Sequence, residues 1–138
     1  MYINYTLDID ALTPTKAHPQ DAGFDLYSRD NVTIDPQSSF NFDTGVHVQI
    51  PTGMVGFLKS KSGLNVKHGI QSEGVIDAGY TGSIVVKLYN NSEIPYTISK
   101  GDKISQLVFL PTPEVILRKR SELQMTERGD NGFGSSGK

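Results

Sequence analysis

The sequence has no cysteine, and its 138 residues carry a formal net charge of only −2. Without cysteine the chain has no disulfide bond, no thiolate metal site and no cysteine nucleophile. The small net charge argues against a broad surface for duplex DNA, because such surfaces are strongly basic. We therefore expect no nucleic acid among the partners.

Long apolar runs are missing as well, since no stretch approaches the roughly 20 apolar residues of a membrane-spanning helix. Residues 1–10 (MYINYTLDID) contain neither the basic region nor the apolar region of a signal peptide. These absences predict a protein without a membrane partner, placed in the cytoplasm or, if its source is viral, in the cytoplasm of the host. The length predicts a single domain with a sizeable core.

What the sequence does contain is alternation of apolar and polar residues with a period of two, which is typical of half-buried strands. The alternation is clearest in residues 46–50, and residues 54–58, 84–88 and 104–110 are rich in branched and aromatic side chains. Turn-forming residues separate such segments at intervals of about ten residues, which favours an all-β sandwich, jelly roll or barrel. We predict one short helix, over residues 62–68.

The final segment, RGDNGFGSSGK (residues 128–138), breaks this pattern with four glycines, two serines and one phenylalanine. It has too little apolar surface to fold by itself, and its glycines make ordering entropically costly. We therefore predict a β-domain over residues 1–125 and a flexible tail of the same domain over residues 126–138. The G-F-G-S-S-G run is similar to a phosphate-binding glycine loop, but no strand signal precedes it and no helix signal follows it.

Common catalytic templates are absent: the sequence has no H-E-x-x-H, no G-x-S-x-G and no Walker A pattern, and its three histidines are widely spaced. Four other segments contain polar residues in unusual settings: 21–28 (DAGFDLYS), 51–64 (PTGMVGFLKSKSGL), 74–82 (GVIDAGYTG) and 101–111 (GDKISQLVFLP). Each has a purely structural interpretation. These are a turn before a strand, a serine-capped helix, a hairpin turn and an edge strand.

Two of these segments also carry side chains suited to chemistry. Lys61, Ser62 and Gly63 place a cation, a hydroxyl and an unhindered backbone N–H at a predicted helix start, which suits a phosphate. Asp77 lies inside an apolar stretch, three residues before Tyr80. Taken one at a time, these features do not separate a binding site from a helix cap or a turn.

Together with the tail, the four segments resemble the five motifs of the homotrimeric deoxyuridine triphosphatases (dUTPases), in the same order and over nearly the whole chain. The resemblance implies an all-β jelly-roll fold and a homotrimer whose active sites are shared between subunits. It implies hydrolysis of dUTP to dUMP and pyrophosphate, with Mg²⁺ as cofactor, by in-line attack of water at the α-phosphorus. Such an enzyme lowers dUTP and supplies dUMP for dTTP synthesis.

The resemblance assigns roles around the base and the sugar. It matches Asp77 to the catalytic carboxylate that activates the attacking water. Tyr80 corresponds to a ring that packs on the deoxyribose and excludes a 2′-hydroxyl. The backbone of Gly74, Val75 and Ile76 corresponds to a hairpin that reads the uracil edge and leaves no space for the methyl group of thymine.

Other roles concern the triphosphate and its metal. By resemblance, Ser62 and Gly63 bind phosphate oxygens together with Gln106, and Lys61 supplies a positive charge. Asp25 accepts hydrogen bonds from magnesium-bound waters, so that no protein atom binds the metal directly. An octahedral shell of water and phosphate oxygens is the arrangement that magnesium prefers.

The resemblance explains the tail as a lid that closes over a site formed by other subunits. In this role Arg128 meets the γ-phosphate and Phe133 stacks on the uracil. Gly134 and Ser135 wrap the phosphates, because glycine lets backbone N–H groups approach closely. Closure would exclude water from the site.

Two positions depart from the family pattern. Lys61 stands where the family usually has arginine, which keeps the charge but loses the bidentate fork. Residues 71–73 form a shorter link than in many relatives, so we expect the uracil hairpin to close differently.

Two other functions stay open at this point. A dCTP deaminase-like relative would share the fold but would need a glutamate as acid and base and a pocket for the exocyclic amine. A non-enzymatic regulator or adhesion module would use the tripeptide Arg128-Gly129-Asp130. Tyr80 and the tail favour the dUTPase interpretation over both.

Overall fold

The computed structural model describes residues 1–137 as ten β-strands and one short helix. The strands are β1 (Asn4–Leu7), β2 (Phe24–Tyr27), β3 (Val32–Ile34), β4 (Ser38–Asp43), β5 (Val46–Gln49), β6 (Met54–Lys59), β7 (Ile70–Ile76), β8 (Val85–Asn90), β9 (Tyr96–Ile98) and β10 (Lys103–Pro111). The helix α1 (Ser62–His68) lies between β6 and β7. The predictions of an all-β fold and of a single short helix are confirmed.

The strands form a six-stranded sheet in the order β2-β10-β6-β7-β8-β4 and two small sheets, β1-β5 and β3-β9. Every one of these pairings is antiparallel. Strands that are far apart in the chain, such as β2 and β10, are neighbours in the large sheet. This exchange of strands between sheets is what a jelly roll requires.

One apolar core joins the sheets, because nine of the ten strands contribute a buried side chain to it and β1 does not. Strand β8 shows why the alternating sequence folds this way. Its residues Val86 and Leu88 are fully buried, while Val85 and Lys87 between them are exposed. Burying each such aliphatic side chain stabilises the fold by about 1.5–3 kcal/mol.

Strand β7 changes its pairing partner halfway along. Residues 70–72 pair with residues 88–90 of β8, whereas residues 73–76 pair with residues 56–59 of β6. Within the described part of the chain, no strand pairs with the second half of β7 on the side away from β6. Alternate backbone N–H and C=O groups of this half therefore point outward from the sheet.

Helix α1 begins at Ser62 without a side-chain hydrogen bond to cap it, so the serine cap considered above does not form. It ends at Gly69, whose φ of +67° lies in the left-handed region that glycine adopts without strain. The Gly69 N–H donates to the Asn65 carbonyl at 3.0 Å. No helix in residues 1–137 is long and apolar enough to cross a membrane.

Beyond β10, residues 112–137 are exposed and form neither helix nor strand. The Thr112 N–H still donates to the Gly53 carbonyl at 2.8 Å, but Phe133 has its whole side chain in solvent. The regular structure thus ends at Pro111. The division into a domain of residues 1–125 and a flexible tail stays a prediction.

We expect removal of residues 127–138 to leave the free energy of unfolding nearly unchanged, because the described part of this segment buries almost no apolar surface. Leu88→Ala is the contrasting variant, since it empties part of the core and should cost about 2–5 kcal/mol. Urea denaturation of both variants measures the difference. A truncated protein destabilised as much as Leu88→Ala would show that the tail is part of the folded core.

Candidate active site

A row of polar side chains crosses the large sheet perpendicular to its strands. Gln106 of β10 is paired with Asp25 of β2 on one side and with Lys59 of β6 on the other. Lys59 is in turn paired with Glu73 of β7. Directly paired residues project to the same face of a sheet, so the pairing brings these four polar residues into one row on one face.

An open cleft of about 540 Å³, which we call the polar cleft, lies along this row. The Gln106 amide at its floor donates to the Ser60 carbonyl at 3.0 Å, which fixes the side chain. Hydroxyl, amide and ammonium groups in the lining suit an anion with many oxygens. The lining residues are Lys59, Ser60, Ser62, Asn65, Val66, Gln71, Ser72, Glu73, Tyr89 and Gln106.

Gly23, two residues before Asp25, is buried directly beside Gln106. A Cβ atom at this position would lie 2.8 Å from Gln106 Oε1 and 3.0 Å from Val108 Cγ2. A larger residue at position 23 would therefore displace the Gln106 side chain from the cleft. The sequence analysis did not assign this glycine, although a glycine inside a segment that leads into a strand often marks such a close approach.

Asp25 is a buried carboxylate between two ammonium groups. Lys61 Nζ contacts its Oδ1, and Lys103 Nζ lies 3.1 Å from its Oδ2. Burial by itself raises the pKa of Asp25, but hydrogen bonds and charges from both lysines outweigh burial and hold the pKa below its ordinary value. The structure thus places Asp25 beside Lys61, as an ionised group with net positive surroundings.

Lys103 is a site residue that the sequence analysis missed. It stands at the start of β10, and the hydrogen bond and charge of Asp25 raise its pKa. A bulge in the pairing of β10 with β2 separates Lys103 from Ser105 and changes the register between them. In the sequence, nothing distinguishes this lysine from the solvated lysines common near turns.

Ser62 and Gly63 open helix α1 at the rim of the polar cleft. Both residues are exposed, and a Cβ atom at Gly63 would meet no heavy atom within 4 Å. The first N–H groups of any helix lack partners inside it. Open space at Gly63 therefore leaves backbone donors accessible beside the Ser62 hydroxyl.

Asp77 lies outside the polar cleft, immediately after β7, in a turn of residues 77–83 that we call the Asp77 turn. The Tyr80 N–H donates to the Asp77 carbonyl at 3.2 Å, and the Gly79 N–H donates to Ile50 at 3.2 Å. The Asp77 carboxylate is exposed. It borders a second groove of about 280 Å³, the Asp77 groove, lined by Val75, Ile76, Asp77, Tyr80, Ser83 and Val85.

The Tyr80 ring folds back over its own turn and is 46% exposed. Its hydroxyl donates to the Ser83 carbonyl at 3.0 Å. A Cβ atom at Gly82 would lie 2.3 Å from the Tyr80 hydroxyl oxygen, so only glycine leaves room for this ring position. Gly82 is a second residue that the sequence analysis left unassigned.

Gly74, Val75 and Ile76 form the end of β7 that has no strand on its outer side. They belong to the β7 arm of the β7–β8 hairpin, beyond the point where the two strands stop pairing. Val75 is 58% exposed, and a Cβ at Gly74 would approach Leu58 to 3.0 Å. Their outward backbone groups can pair with the edge of a planar ligand.

The predicted site residues therefore fall into separate groups within one chain. Lys61, Ser62, Gly63, Gln106 and Asp25 gather at the polar cleft. Gly74, Val75, Ile76, Asp77 and Tyr80 gather at the Asp77 groove, and the two lining sets share no residue.

The tail residues line neither of these sites in the described part of the chain. Arg128, Phe133, Gly134 and Ser135 are exposed, and the Arg128 guanidinium donates to the Asn131 carbonyl at 2.9 Å. Phe133 has a positive φ of 43°, in the left-handed region. The roles assigned to these residues stay predictions.

Among residues 1–137 no group of three or more histidine, aspartate or glutamate side chains could hold a metal ion. The ionised Asp25 offers one carboxylate. A metal at this site would therefore need most of its ligands from a bound anion and from water.

Comparison with known proteins places these features in a family. The family model described as dUTPase matches residues 10–137. The chain is 43% identical over 129 residues to the deoxyuridine 5′-triphosphate nucleotidohydrolase of Gloeobacter violaceus, covering 90% of this chain and 88% of the relative. It is 43% identical over 128 residues to the protein of the same name from Candida albicans, covering 91% and 80%.

Solved structures give the same result. The dUTPase of Staphylococcus bacteriophage 80alpha with bound dUpNHpp superimposes with a TM-score of 0.92 at 32% identity, covering 99% of this chain and 98% of that one. A dUTPase of phage phi11, described with a structural Mg(II) ion, superimposes with a TM-score of 0.83 at 29% identity over 91% of this chain and 100% of that one. The predicted jelly-roll-like fold is confirmed, and the chain belongs to the dUTPase family.

Proposed function

We propose that this chain hydrolyses dUTP to dUMP and pyrophosphate by attack of water at the α-phosphorus. Its relatives are named for dUTP hydrolysis, and the phage dUTPase binds dUpNHpp, a dUTP analogue. One observation carries the proposal beyond the family name. The exposed carboxylate of Asp77 stands beside both an open strand edge and the Tyr80 ring, where a base, a sugar and a water can meet.

Asp77 is the catalytic carboxylate in this proposal. Water is a weak nucleophile, and a positioned carboxylate that accepts its proton directs it towards one face of the phosphorus. Attack forms the bond from the water oxygen to the α-phosphorus and breaks the bond to the bridging oxygen, so pyrophosphate leaves in line. Asp77 suits this role because its turn is fastened to Ile50 through Gly79.

The nucleoside would lie in the Asp77 groove. The outward backbone groups of Gly74, Val75 and Ile76 offer donors and acceptors that match the edge of uracil. The Tyr80 ring would pack against the deoxyribose where a ribonucleotide carries its 2′-hydroxyl. Gly82 and the hydrogen bond to Ser83 hold the ring in that place.

The triphosphate would occupy the polar cleft, where Ser62, Gly63 and Gln106 supply hydroxyl, backbone and amide donors. Two lysines around one carboxylate leave a net positive charge beside these donors. That charge attracts a polyanion, and the attraction is stronger than at the open surface because Asp25 is buried. Lys61 would supply this charge as an ammonium group, without the fork of an arginine.

Magnesium is the cofactor that this site fits. An ionised carboxylate has about four lone-pair positions, and the lysine contacts leave Asp25 free to accept further hydrogen bonds from metal-bound water. When bound, the ion would neutralise charge on the phosphates and fix their geometry. The phi11 relative described with a structural Mg(II) ion supports this assignment without locating the ion in the present chain.

The tail would act as the lid. Arg128 would reach the γ-phosphate, Phe133 would stack on the uracil, and Gly134 and Ser135 would wrap the phosphates. Their exposure supports this role, because a fully exposed phenylalanine leaves apolar surface that a bound base can cover. Covering the site would keep bulk water from the reaction.

A homotrimer would join the two halves of the site. The polar cleft and the Asp77 groove do not meet within one chain, so a complete site needs subunits that exchange faces. Exposed apolar residues after β10, including Val115, Ile116 and Leu117, offer surface for such contacts. Light scattering should give about three times the 15.1 kDa of one chain. A fully active monomer would contradict this assembly.

In the cell, such an enzyme would lower dUTP and supply dUMP for dTTP synthesis. We place it in the cytoplasm, or in the host cytoplasm if its source is viral. No nucleic acid and no membrane are needed for this role.

We expect Asp77→Asn to keep the affinity for a non-hydrolysable dUTP analogue while turnover falls by about 10²–10⁴-fold, the range for loss of a general base. The amide has the same shape but does not accept the proton. Pyrophosphate release measures turnover, and calorimetry measures binding. Asp35→Asn, at an exposed aspartate between β3 and β4, is the control. Near-normal turnover of Asp77→Asn, or ammonia release from dCTP by the unmodified protein, would contradict the proposal.

We expect Tyr80→Ala to reduce the preference for dUTP over UTP by about tenfold or more, because removal of the ring opens space for a hydroxyl. Gly82→Ala should act in the same direction while keeping the ring, since the new Cβ displaces it. The ratio of kcat/KM for the two nucleotides measures the preference. Tyr2→Ala, at an almost fully exposed tyrosine, should leave this ratio unchanged. An unchanged ratio in both site variants would mean that another group reads the sugar.

A further inference from the structure

The imidazole ring of His47, on β5, joins three parts of the chain. Nδ1 lies 2.7 Å from the carbonyl oxygen of Thr81 in the Asp77 turn. Nε2 lies 3.0 Å from Oδ1 of Asp8, which follows β1. With 27% of its side chain exposed, His47 is held at a boundary between β5, the turn and the N-terminal segment.

Both partners of the ring are acceptors. A carbonyl oxygen and an ionised carboxylate have no proton to donate, and a neutral imidazole carries only one N–H. Both contacts can therefore be hydrogen bonds only when the ring is an imidazolium with a proton on each nitrogen. In the neutral ring, one nitrogen lone pair would face an oxygen lone pair at the same distance.

The charges around His47 favour the cation. Asp8 faces the ring from the N-terminal segment, and Asp43 approaches from the end of β4, where Arg29 lies 3.4 Å away as its partner. The hydrogen bond to the Thr81 carbonyl, followed by the hydrogen bond to Asp8, raises the pKa of His47 above its ordinary value of 6.5. The geometry and the local charge thus lead to the same protonation state.

Thr81 directly follows Tyr80, so the contact of His47 acts next to the residue that reads the sugar. On the other side of Tyr80, the Gly79 N–H is bonded to Ile50. Beyond Thr81, the Ser83 hydroxyl donates to Asp43. The Tyr80 backbone is therefore held between a β-strand contact and the imidazolium.

We propose that His47 is a positioning residue: its imidazolium fixes Thr81 and thereby the Tyr80 ring, so that discrimination against a 2′-hydroxyl depends on the charge of His47. This inference rests on the proposed function, because it concerns how the same site chooses its sugar. His47 itself touches no substrate in this account. It acts through the backbone of the turn.

The sign of the pH dependence follows from the raised pKa. The contribution of the imidazolium is fully present below pH 6.5 and is lost as the pH rises through the higher pKa of the folded protein. Above that pKa the remaining N–H serves only one acceptor, and the turn loses a fixed contact. Selectivity for dUTP over UTP should therefore be highest at low pH and should fall as the pH increases.

The test is the ratio of kcat/KM for dUTP to kcat/KM for UTP, measured across the titration of His47. Taking the ratio removes ionisations that affect both nucleotides equally. We expect the ratio to fall by about three- to tenfold between the two ends of the titration, the size of one lost hydrogen bond. His47→Gln should give a low, flat ratio, because it has no titrating ring.

Nuclear magnetic resonance provides a readout that does not depend on activity. The ring nitrogens of His47 should show two N–H groups at low pH. The amide of Gly82, in the same peptide unit as the Thr81 carbonyl, should shift with the same midpoint. Asp8→Asn should lower that midpoint and move the fall in selectivity by the same amount. His18→Gln, at an exposed histidine outside both clefts, should change neither midpoint.

The outcomes separate the two hypotheses. Parallel movement of the kinetic and spectroscopic midpoints in Asp8→Asn supports the role of His47. An enzyme that hydrolyses dUTP with a pH-independent ratio, or one whose ratio falls while the ring stays neutral, would overturn it. A protein whose His47 titrates as described but which hydrolyses no dUTP would instead overturn the proposed function.

Discussion

The register of strand β10 is the constraint on which the polar half of the site depends. This strand pairs with β2 on one side and β6 on the other, and both pairings meet at Gln106. The same strand sends Ile104 and Leu107 into the core, so burial of these side chains fixes which face Gln106 occupies. A slip by one residue would turn Gln106 inward and bring apolar side chains to the cleft. Core packing therefore positions the phosphate donors.

The second half of the site depends on a different device, a turn attached to the body of the fold at several points. Asp77 and Tyr80 stand on this turn, and its attachments reach β5 through His47, β4 through Asp43, and the end of β5 through Ile50. Hydrogen bonds of this kind are individually modest. Their combination in a short turn holds a general base and a sugar-reading ring in one arrangement.

The two lysines at Asp25 show how the chain accommodates its departure from the family pattern. A guanidinium can bind both oxygens of a carboxylate with one planar fork, whereas an ammonium group cannot. Here Lys61 contacts one oxygen of Asp25 and Lys103 lies near the other. Two point charges from different strands and loops thus satisfy the buried carboxylate, which otherwise would carry a large desolvation cost.

Local sequence signals were enough to predict the longer elements. The alternation in residues 46–50 and the apolar run in residues 104–110 correspond to β5 and β10, and the predicted helix has the bounds of α1. Strands β1, β3 and β9 were not predicted, because segments of three or four residues show too little alternation to be recognised. Their pairing is set by partners distant in sequence.

The site was predictable only where a motif carried it. Five segments indicated the chemistry, but spacing along the chain did not reveal that Lys103 would meet Asp25 or that Gly82 makes room for Tyr80. Such contacts arise from folding: a bulge changes the register at Lys103, and a turn returns the Tyr80 ring over Gly82. The separation of the polar cleft from the Asp77 groove also has no signal in the sequence.

The central claim is that these two separate halves, from different subunits, make one active site. The most direct measurement mixes two impaired variants, Asp77→Asn and the double variant Ser62→Ala with Gln106→Ala, by unfolding and refolding them together. If each site takes one half from each of two neighbouring subunits, about a quarter of the sites in randomly assembled oligomers contain both intact halves, and dUTP hydrolysis returns to that extent. Hydrolysis that never exceeds the average of the two variants alone would show that each chain builds its site by itself, and would contradict the account.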